Sequence, residues 1–219
     1  IELRIMAHLS DDPEMIKSFV DGEDIHSSTA RKVFNTKGEP SPDERRAAKA
    51  INFGLIYGIS AYGLARQLKI DNIEAKNIID TYFAKYKRVR QYMDELKEKA
   101  KEQEFIETMY GRKVFLPNIN HSNFQVRSGS ERTAINAPIQ GTAADILKLA
   151  MIKIKNWLDH EKISDVYMIM QVHDELVFEI KESDLKSLGI KICDLMIGAE
   201  SLNVPLIVNT FNGNNWREG

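Results

Sequence analysis

Apolar and polar positions in the first residues alternate as they do in a strand. Leu3, Ile5 and Ala7 are separated by charged or polar neighbours, which predicts the end of a strand at the start of the chain. Residues 11–13, Asp-Asp-Pro, follow and offer a helix start with proline in the first turn. The chain therefore opens with a short strand segment followed by a helix.

Helical spacing dominates the middle of the chain. A Gly- and Pro-rich loop precedes Ser41 and Asp43, either of which can cap the helix that follows. Asp71 caps another helix, with Glu74 at capping-box spacing, and helical composition continues to about Glu104. We expect this part of the chain to be almost entirely helical.

The second half mixes short strands with helices. Two short strands are predicted at 105–108 and 113–116, and helices at 122–136 and 140–160 are separated by Ala137-Pro138. A strand, a polar turn and a strand follow over 166–180, then a helix over 182–199 and a last strand over 205–211. Strands at both ends with helices between them predict an α+β fold, a sheet layer with a helical insertion.

Composition narrows the class of protein. The chain has 219 residues, 43% hydrophobic and 28% charged, which are near the averages of globular proteins. Its single cysteine, Cys193, excludes a disulfide framework and any Cys-x-x-Cys metal or redox pair, and fits a reducing compartment. No apolar run approaches the roughly 20 residues that a membrane span needs.

Charge is distributed unevenly. The formal net charge is −2, which argues against a generally basic nucleic-acid binder. Two local runs are basic, however, and each can contact a polyanion or be a solvated face. The first run has no acidic residue between its ends, and the runs comprise Arg45, Arg46, Lys49, Arg66 and Lys69, and Lys85, Lys87, Arg88 and Arg90.

A four-residue period marks the first cluster of possible chemistry, which comprises Arg45, Lys49, Phe53 and Tyr57. On a helix each step of four residues rises about 6 Å and turns about 40°, so these side chains form one stripe. Two cations followed by two rings match the polyanionic end and the flat end of a nucleoside triphosphate. The competing interpretation is an aromatic pair that faces the core beside cations that reach back to water.

Two adjacent carboxylates form the second cluster. Residues 173–175, His-Asp-Glu, lie between two short apolar runs and are predicted at a hairpin tip. A divalent cation would relieve the repulsion between Asp174 and Glu175 and could hold phosphate oxygens. The alternative is a polar turn in which the aspartate only favours the loop.

Side chains with amide and guanidinium groups form the third cluster. Arg132, Asn136 and Gln140 recur at four-residue spacing across Pro138. Such side chains are suited to hydrogen bonds with base or sugar edges. The alternative is a helix start in which Gly141 or Thr142 acts as the cap.

These three clusters, in this order, resemble the motifs of the family A DNA polymerases, the bacterial DNA polymerase I type. RRAAKAINFGLIYG (45–58) resembles the fingers-helix motif, and MQVHDELVFE (170–179) resembles the second palm motif. IELRIMAHLS (1–10) looks like the tail of the first palm motif. The resemblance covers essentially the whole chain and extends to INAPIQGTAADILKLAM, Val204-Pro205-Leu206 and Gly213-Asn-Asn-Trp216.

The resemblance implies a fold, an activity and partners. It implies an antiparallel palm sheet with packed helices (1–10 and 120–219) and a mostly helical fingers insertion (11–119). The implied reaction is template-directed DNA synthesis, in which two Mg²⁺ ions assist transfer from a dNTP to a primer 3′ hydroxyl. Primer–template DNA and dNTPs are the expected partners in DNA replication and repair, in the cytoplasm and without a membrane; the oligomeric state stays open.

The resemblance also implies roles for single residues. Asp174 would be a catalytic metal-binding carboxylate with Glu175 in support, and Lys49 would be both catalytic and nucleotide-binding. The remaining dNTP-binding residues would be Arg45, Phe53, Tyr57, His26 and Glu2. Contacts to primer, template or minor-groove edges would come from Arg132, Asn136, Gln140, Gln171 and His173.

One departure from the family pattern concerns the first palm motif. The family's other catalytic aspartate would stand four positions before Ile1, and the thumb would also lie upstream. We therefore expect that residues 1–219 alone do not extend primers. A nucleic-acid-binding module without catalysis is the competing hypothesis. Such a module would not need both the Arg45–Tyr57 stripe and the two carboxylates.

Overall fold

The structure is a computed structural model that describes residues 1–215, so Trp216 of the last motif lies outside the described residues. The chain forms two compact units, one of Glu2–Thr142 and one of Ile1 with the residues from Ala143 onward. The described residues are mainly helical and contain two short antiparallel hairpins, which confirms the α+β class. The boundaries of palm and fingers stay a prediction.

Helices supply most of both units. The first unit contains α1 (Glu2–Ser10), α2 (Pro13–Val20), α3 (Ile25–Val33), α4 (Pro42–Ile56), α5 (Ala61–Leu68), α6 (Asn72–Lys85), α7 (Lys87–Gln103), β1 (Phe105–Glu107) and β2 (Lys113–Phe115). The long helix α8 (Phe124–His160) contributes residues to both units. The second unit adds β3 (Val166–Val172), β4 (Glu175–Ile180), a 3₁₀ turn (Glu182–Asp184) and α9 (Leu185–Ile197).

The predicted strand end at the start of the chain is wrong, because Leu3, Ile5 and Ala7 belong to helix α1. Leu3, Met6, Ala7 and Ser10 are all buried, and their spacing is that of one helical face. The alternation over five residues was therefore part of a helical pattern that the short window concealed.

Polar caps begin several helices where the sequence indicates them. Ser41, rather than Asp43, caps α4: its hydroxyl accepts from the Glu44 N–H at 3.2 Å, and the Glu44 carboxylate accepts from the Ser41 N–H at 2.8 Å. Asp71 caps α6 as predicted. The helical stretch that follows is not continuous, since the backbone leaves helical geometry at Tyr86 and separates α6 from α7.

One buried carboxylate caps two helices. Asp12, 1% exposed, accepts from the Met15 N–H at 3.0 Å and so caps α2. Its other oxygen accepts from the N–H groups of Arg88 at 2.9 Å and Val89 at 3.4 Å, in the first turn of α7. Helix α7 has no side-chain cap from its own N-cap residue, Tyr86, so Asp12 supplies that acceptor from 76 residues away.

The hairpin β1–β2 confirms the two strands predicted around residue 110. Ile106 and Val114 face each other across it, and Ile106 belongs to a buried cluster with residues of α7 and α8. The Thr142 hydroxyl accepts from the Met109 N–H at 3.0 Å, just beyond β1. Thr142 therefore holds the hairpin loop and does not cap a helix.

Helix α8 runs without interruption through Pro138, so the two predicted helices are one. An internal proline removes one backbone hydrogen bond and costs roughly 3 kcal/mol. The buried side chains of Ala134, Ile135 and Ile139 on both sides of Pro138 offset that cost by packing. Burial of the flanking turns outweighs the local preference for a break.

The hairpin β3–β4 carries the second carboxylate cluster and packs, through Val166, against buried residues of α8 and α9. Its register shifts between Met168 and Met170, which is a β-bulge at Ile169. The predicted last strand over 205–211 is wrong: these residues form no ladder with any described residue, so their alternation has no hydrogen-bonding partner.

Candidate functional site

Helix α4 carries the predicted stripe on one side of the first unit. Lys49 and Arg45 are exposed, whereas Phe53 and Tyr57 are partly buried. Asn52 and Ile56, next in the sequence to the rings, are fully buried and anchor the helix to the core. The cations and the rings therefore share a solvent-accessible face, in contrast to the interpretation of a core-facing aromatic pair.

Arg45 is held by a carboxylate at the start of α3. Asp24 accepts from Arg45 Nε at 3.0 Å and Nη2 at 2.5 Å. Its other oxygen caps α3 by accepting from the N–H groups of His26 and Ser27, both at 2.9 Å. Burial opposes ionisation of Asp24, but these hydrogen bonds and the charge of Arg45 outweigh it and lower the pKa of the carboxyl.

His26 lies against the same stripe. Its ring is 5.9 Å from that of Phe53 between centroids, and Phe53 is 6.1 Å from Tyr57, so the three rings form a row. Burial is the largest effect on the histidine and lowers its pKa; the Asp24 carboxylate opposes this, and Arg45 and Lys49 lower it further. His26 is therefore favoured in its neutral form.

Tyr57 connects the end of α4 to α1. Its hydroxyl donates to the carboxylate of Glu2. Burial, together with this hydrogen bond, holds the pKa of Tyr57 well above its ordinary value, and a hydrogen bond with Gln140 opposes the shift. Three residues that were predicted from separate motifs, Glu2, Tyr57 and Gln140, thus meet at one hydroxyl.

A cavity of about 560 Å³ lies beside the stripe, within the first unit. Its lining includes Lys49, Phe53 and Tyr57 from the first cluster and Arg132 from the third. Gly58 follows Tyr57 with a φ of +75°, a conformation that favours glycine, and its Cα faces the Arg132 side chain. The fold therefore brings the first and third sequence clusters to one cavity.

The other residues of the third cluster differ in their surroundings. Gln140 is exposed, while Asn136 is partly buried and its Oδ1 has no hydrogen-bond partner among residues 1–215. A buried acceptor without a partner is costly, so a hydrogen-bond donor from a ligand would stabilise this position.

The predicted hairpin tip is confirmed, with His173 and Asp174 as its two turn residues. His173 has φ +52°, and its carbonyl accepts from Gln171 Nε2 at 2.7 Å, so Gln171 braces the turn. Asp174 and Glu175 are exposed and form no ion pair within the described residues. Both residues belong to the second unit, whereas the α4 stripe belongs to the first.

These two carboxylates fit a magnesium ion as oxygen ligands. Mg²⁺ in nucleotidyl-transfer sites is commonly held by one or two carboxylates together with substrate phosphates. Across residues 1–215, no three His, Cys, Asp or Glu side chains form a metal-holding group. A metal ion bound by Asp174 and Glu175 would therefore need further ligands besides these two side chains.

Three of the four cations in the second basic run have partners within the chain, and the fourth, Lys87, is exposed. Arg88 pairs with Glu95 at 3.5 Å, and Arg90 pairs with Asp94 at 3.2 Å. Lys85 is partly buried and donates to Ser28 Oγ at 2.6 Å. The simpler interpretation, a solvated face, agrees with these ion pairs on the exposed side of α7.

Two polar residues of the site were not identified from the sequence. Asp24 lies two residues before His26, where the sequence allows it to be an N-cap. Nothing in the sequence indicated its hydrogen bonds to Arg45. Asn52 is a buried amide inside α4, and its partners lie 23 to 27 residues earlier. Only the packing of α3 against α4 makes either role visible.

No helix in the described part of the chain is long and apolar enough to cross a membrane.

Bacterial proteins named DNA polymerase I are similar to the chain in sequence. The chain is 50% identical over its full length to DNA polymerase I of Pseudomonas aeruginosa and 45% identical to that of Streptococcus pneumoniae. It spans about a quarter of the length of these relatives, 24% and 25%.

A solved structure also matches. It is the POL domain of Pol1 from M. smegmatis in complex with DNA primer-template and dNTP, at a TM-score of 0.90 and 44% identity, over 94% of this chain and 36% of that one. The family described as DNA polymerase family A matches residues 1–218. The chain therefore belongs to DNA polymerase family A.

Proposed function

We propose that the protein containing this chain carries out template-directed DNA synthesis, the transfer of a nucleotidyl group from a dNTP to a primer 3′ hydroxyl. One observation carries the proposal: Lys49, Phe53, Tyr57 and Arg132 line one cavity, with cations at one end of the α4 stripe and rings at the other. Relatives named DNA polymerase I support it. DNA replication and repair, in the bacterial cytoplasm, are the corresponding processes.

The first unit supplies the residues that bind the nucleotide. Lys49 and Arg45 neutralise the triphosphate, and His26 donates a hydrogen bond to it. Arg45 exchanges its Asp24 partner for phosphate oxygens, since both ligands suit a planar guanidinium. Phe53 packs on the sugar and base of the dNTP.

Glu2 and Tyr57 act on the sugar and on the template side. In this proposal Glu2 excludes a 2′ hydroxyl, and its hydrogen bond holds the Tyr57 side chain beside the cavity. Tyr57 occupies the template-base position. The proposed contacts to primer, template or minor-groove edges come from Arg132, Asn136, Gln140, Gln171 and His173.

The second unit supplies the metal-binding carboxylate. Asp174, supported by Glu175, would hold Mg²⁺, whose chemistry there is to stabilise charge on the phosphate oxygens and to lower the pKa of the primer hydroxyl. Both carboxylates are exposed at the turn, which supports this role.

The test is primer extension by the full-length protein with Mg²⁺, beside Asp174→Asn and the control Asp194→Asn. Asp194 is an exposed carboxylate on α9, outside the cluster. Loss of a metal ligand is expected to lower kcat by roughly 10³-fold or more, because metal stabilisation of the transition state is worth several kcal/mol. The control is expected to extend primers at the wild-type rate.

Two results would contradict the proposal. Extension at the wild-type rate by Asp174→Asn would exclude the carboxylate as a ligand. Binding of primer–template without extension by the wild-type protein would instead favour the non-catalytic nucleic-acid-binding module.

A further inference from the structure

Asn52 is fully buried in α4 and has no part in the proposed function so far. Its carboxamide contacts three groups of α3. Thr29 Oγ1 donates to Oδ1 at 2.9 Å, while Nδ2 lies 2.8 Å from Nδ1 of His26 and 3.5 Å from the carbonyl oxygen of Ile25. Each polar atom of this buried amide therefore has a partner, and one partner is the histidine of the proposed triphosphate site.

The neighbours of the amide determine which way it faces. The Ile25 carbonyl can only accept a hydrogen bond, so the side of the amide toward it must be the NH₂ group. The Thr29 hydroxyl on the other side can donate to the amide oxygen. With this orientation, assigned from the hydrogen-bond network, Nδ2 donates and Nδ1 of His26 accepts.

The tautomer of His26 follows from that bond. A neutral imidazole carries one proton, and when Nδ1 accepts, the proton is on Nε2. The groups that face the ring favour the neutral form on balance: Asp24 at the start of α3 opposes it, while burial and the Arg45 and Lys49 cations of α4 favour it. Within residues 1–215 no protein group forms a hydrogen bond with Nε2.

We infer that Asn52 is a positioning residue, which holds His26 in the Nε2–H tautomer so that the ring presents a hydrogen-bond donor to the triphosphate. This inference rests on the proposed function, in which His26 contacts phosphate. Phosphate oxygens only accept hydrogen bonds, so the other tautomer would present a lone pair to them and weaken binding. Asn52 thereby sets the donor without touching the nucleotide.

Nitrogen-15 NMR of the histidines measures the tautomer directly on the 219-residue chain without nucleotide. The chain has five histidines, and the His26→Gln variant assigns the signal of His26. We expect the wild-type ring to carry its proton on Nε2. Asn52→Asp replaces the donor by an acceptor, so we expect the proton on Nδ1 and a raised pKa of His26.

Thr29→Val is the matched control. It removes the hydroxyl that donates to Oδ1 but leaves the bond between Nδ2 and His26. The tautomer is expected to stay at Nε2–H. A wild-type ring that carries its proton on Nδ1 would overturn the inference without any variant, and so would an Nε2–H ring in Asn52→Asp.

Kinetics of the full-length protein test the consequence for the nucleotide. Asn52→Ala is expected to raise the KM for dNTP roughly tenfold with a smaller change in kcat, the effect of losing one hydrogen bond to a charged group. In a His26→Ala background the same change is expected to add little, since Asn52 acts through the histidine. An equal rise of KM in both backgrounds would overturn the positioning role.

The proposed function and the role of Asn52 can be refuted independently. If the wild-type protein does not extend primers, the proposed function fails, while the NMR result on the tautomer stands by itself. If extension is normal but the tautomer or the KM pattern differs from expectation, only the role of Asn52 is wrong.

Discussion

Replacement of Asp12 by alanine is expected to destabilise the first unit more than removal of an ordinary helix cap. Its carboxylate accepts from Met15 at the start of α2 and from Arg88 and Val89 at the start of α7. Loss of one N-cap costs about 1 kcal/mol. Leaving the part-buried Arg88 N–H and the buried Val89 N–H without an acceptor adds roughly 1–3 kcal/mol. We expect a total of about 3 kcal/mol.

Asp71→Ala provides the matched control. Asp71 is also an N-cap aspartate, accepting from the Glu74 N–H at 2.7 Å, but it is exposed and caps only α6. We expect its loss to cost about 1 kcal/mol. Asp12→Asn is expected to fall between the two, because one amide oxygen can serve only one of the two helix ends.

Urea unfolding of the 219-residue chain, followed by circular dichroism at 222 nm, measures these differences as shifts of the midpoint at constant slope. The reasoning is refuted if Asp12→Ala loses no more stability than Asp71→Ala. Equal losses would mean that the bonds to α7 contribute nothing to the free energy of unfolding.

Three further outcomes are expected. Gly141→Ala should lower the free energy of unfolding by about 1–3 kcal/mol, because a Cβ would lie 2.4 Å from Thr108 Cγ2. Thr108→Ser removes that methyl group, so it should restore part of the loss in the double variant. Additive losses of the two single variants in urea would contradict this. Gly58→Ala should lose at least about 1 kcal/mol, since its φ is +75° and a Cβ would lie 3.3 Å from Ile135; an unchanged urea midpoint would exclude the strain. Because the pKa of Asp24 is lowered, its ionised form stabilises the folded chain; this contribution is fully present above pH 3.8 and is lost as the pH falls from 3.8 through the lowered pKa. Asp24→Asn should therefore make the free energy of unfolding fall less steeply at acid pH. An unchanged pH dependence of the free energy of unfolding would contradict the assignment.

Local signals in the sequence predicted the elements that local interactions determine. The cap of Asp71 and the hairpin around Asp174 follow from residues a few positions apart, and both are present. The predicted helix break at Pro138 was wrong because the free energy gained by packing the turns on either side exceeds the local cost of the proline. That packing involves residues outside any short sequence window. The strand predicted over 205–211 failed because a strand needs a partner elsewhere in the chain.

The candidate site also combines features that local spacing predicts with features that depend on how helices dock. The spacing of Arg45, Lys49 and Phe53 predicted a shared helix face, and periodicity alone is enough for that. The bonds from Asp24 to Arg45 and from Asn52 to His26 join α3 to α4 across more than 20 residues. Such pairs depend on how two helices dock, so no pattern within either helix could reveal them.

The turn between α4 and α5 has a mechanical consequence. The side chain of Ile59 fits between two glycines: a Cβ on Gly54 would lie 3.1 Å from it, and one on Gly63 would lie 2.8 Å from it. Ile59 therefore packs closely between the end of α4 and the start of α5, and Phe53 and Gln67 line the cavity on either side of this turn. A side chain larger than glycine at position 54 or 63 would displace Ile59 and so change the width of the cavity between Phe53 and Gln67.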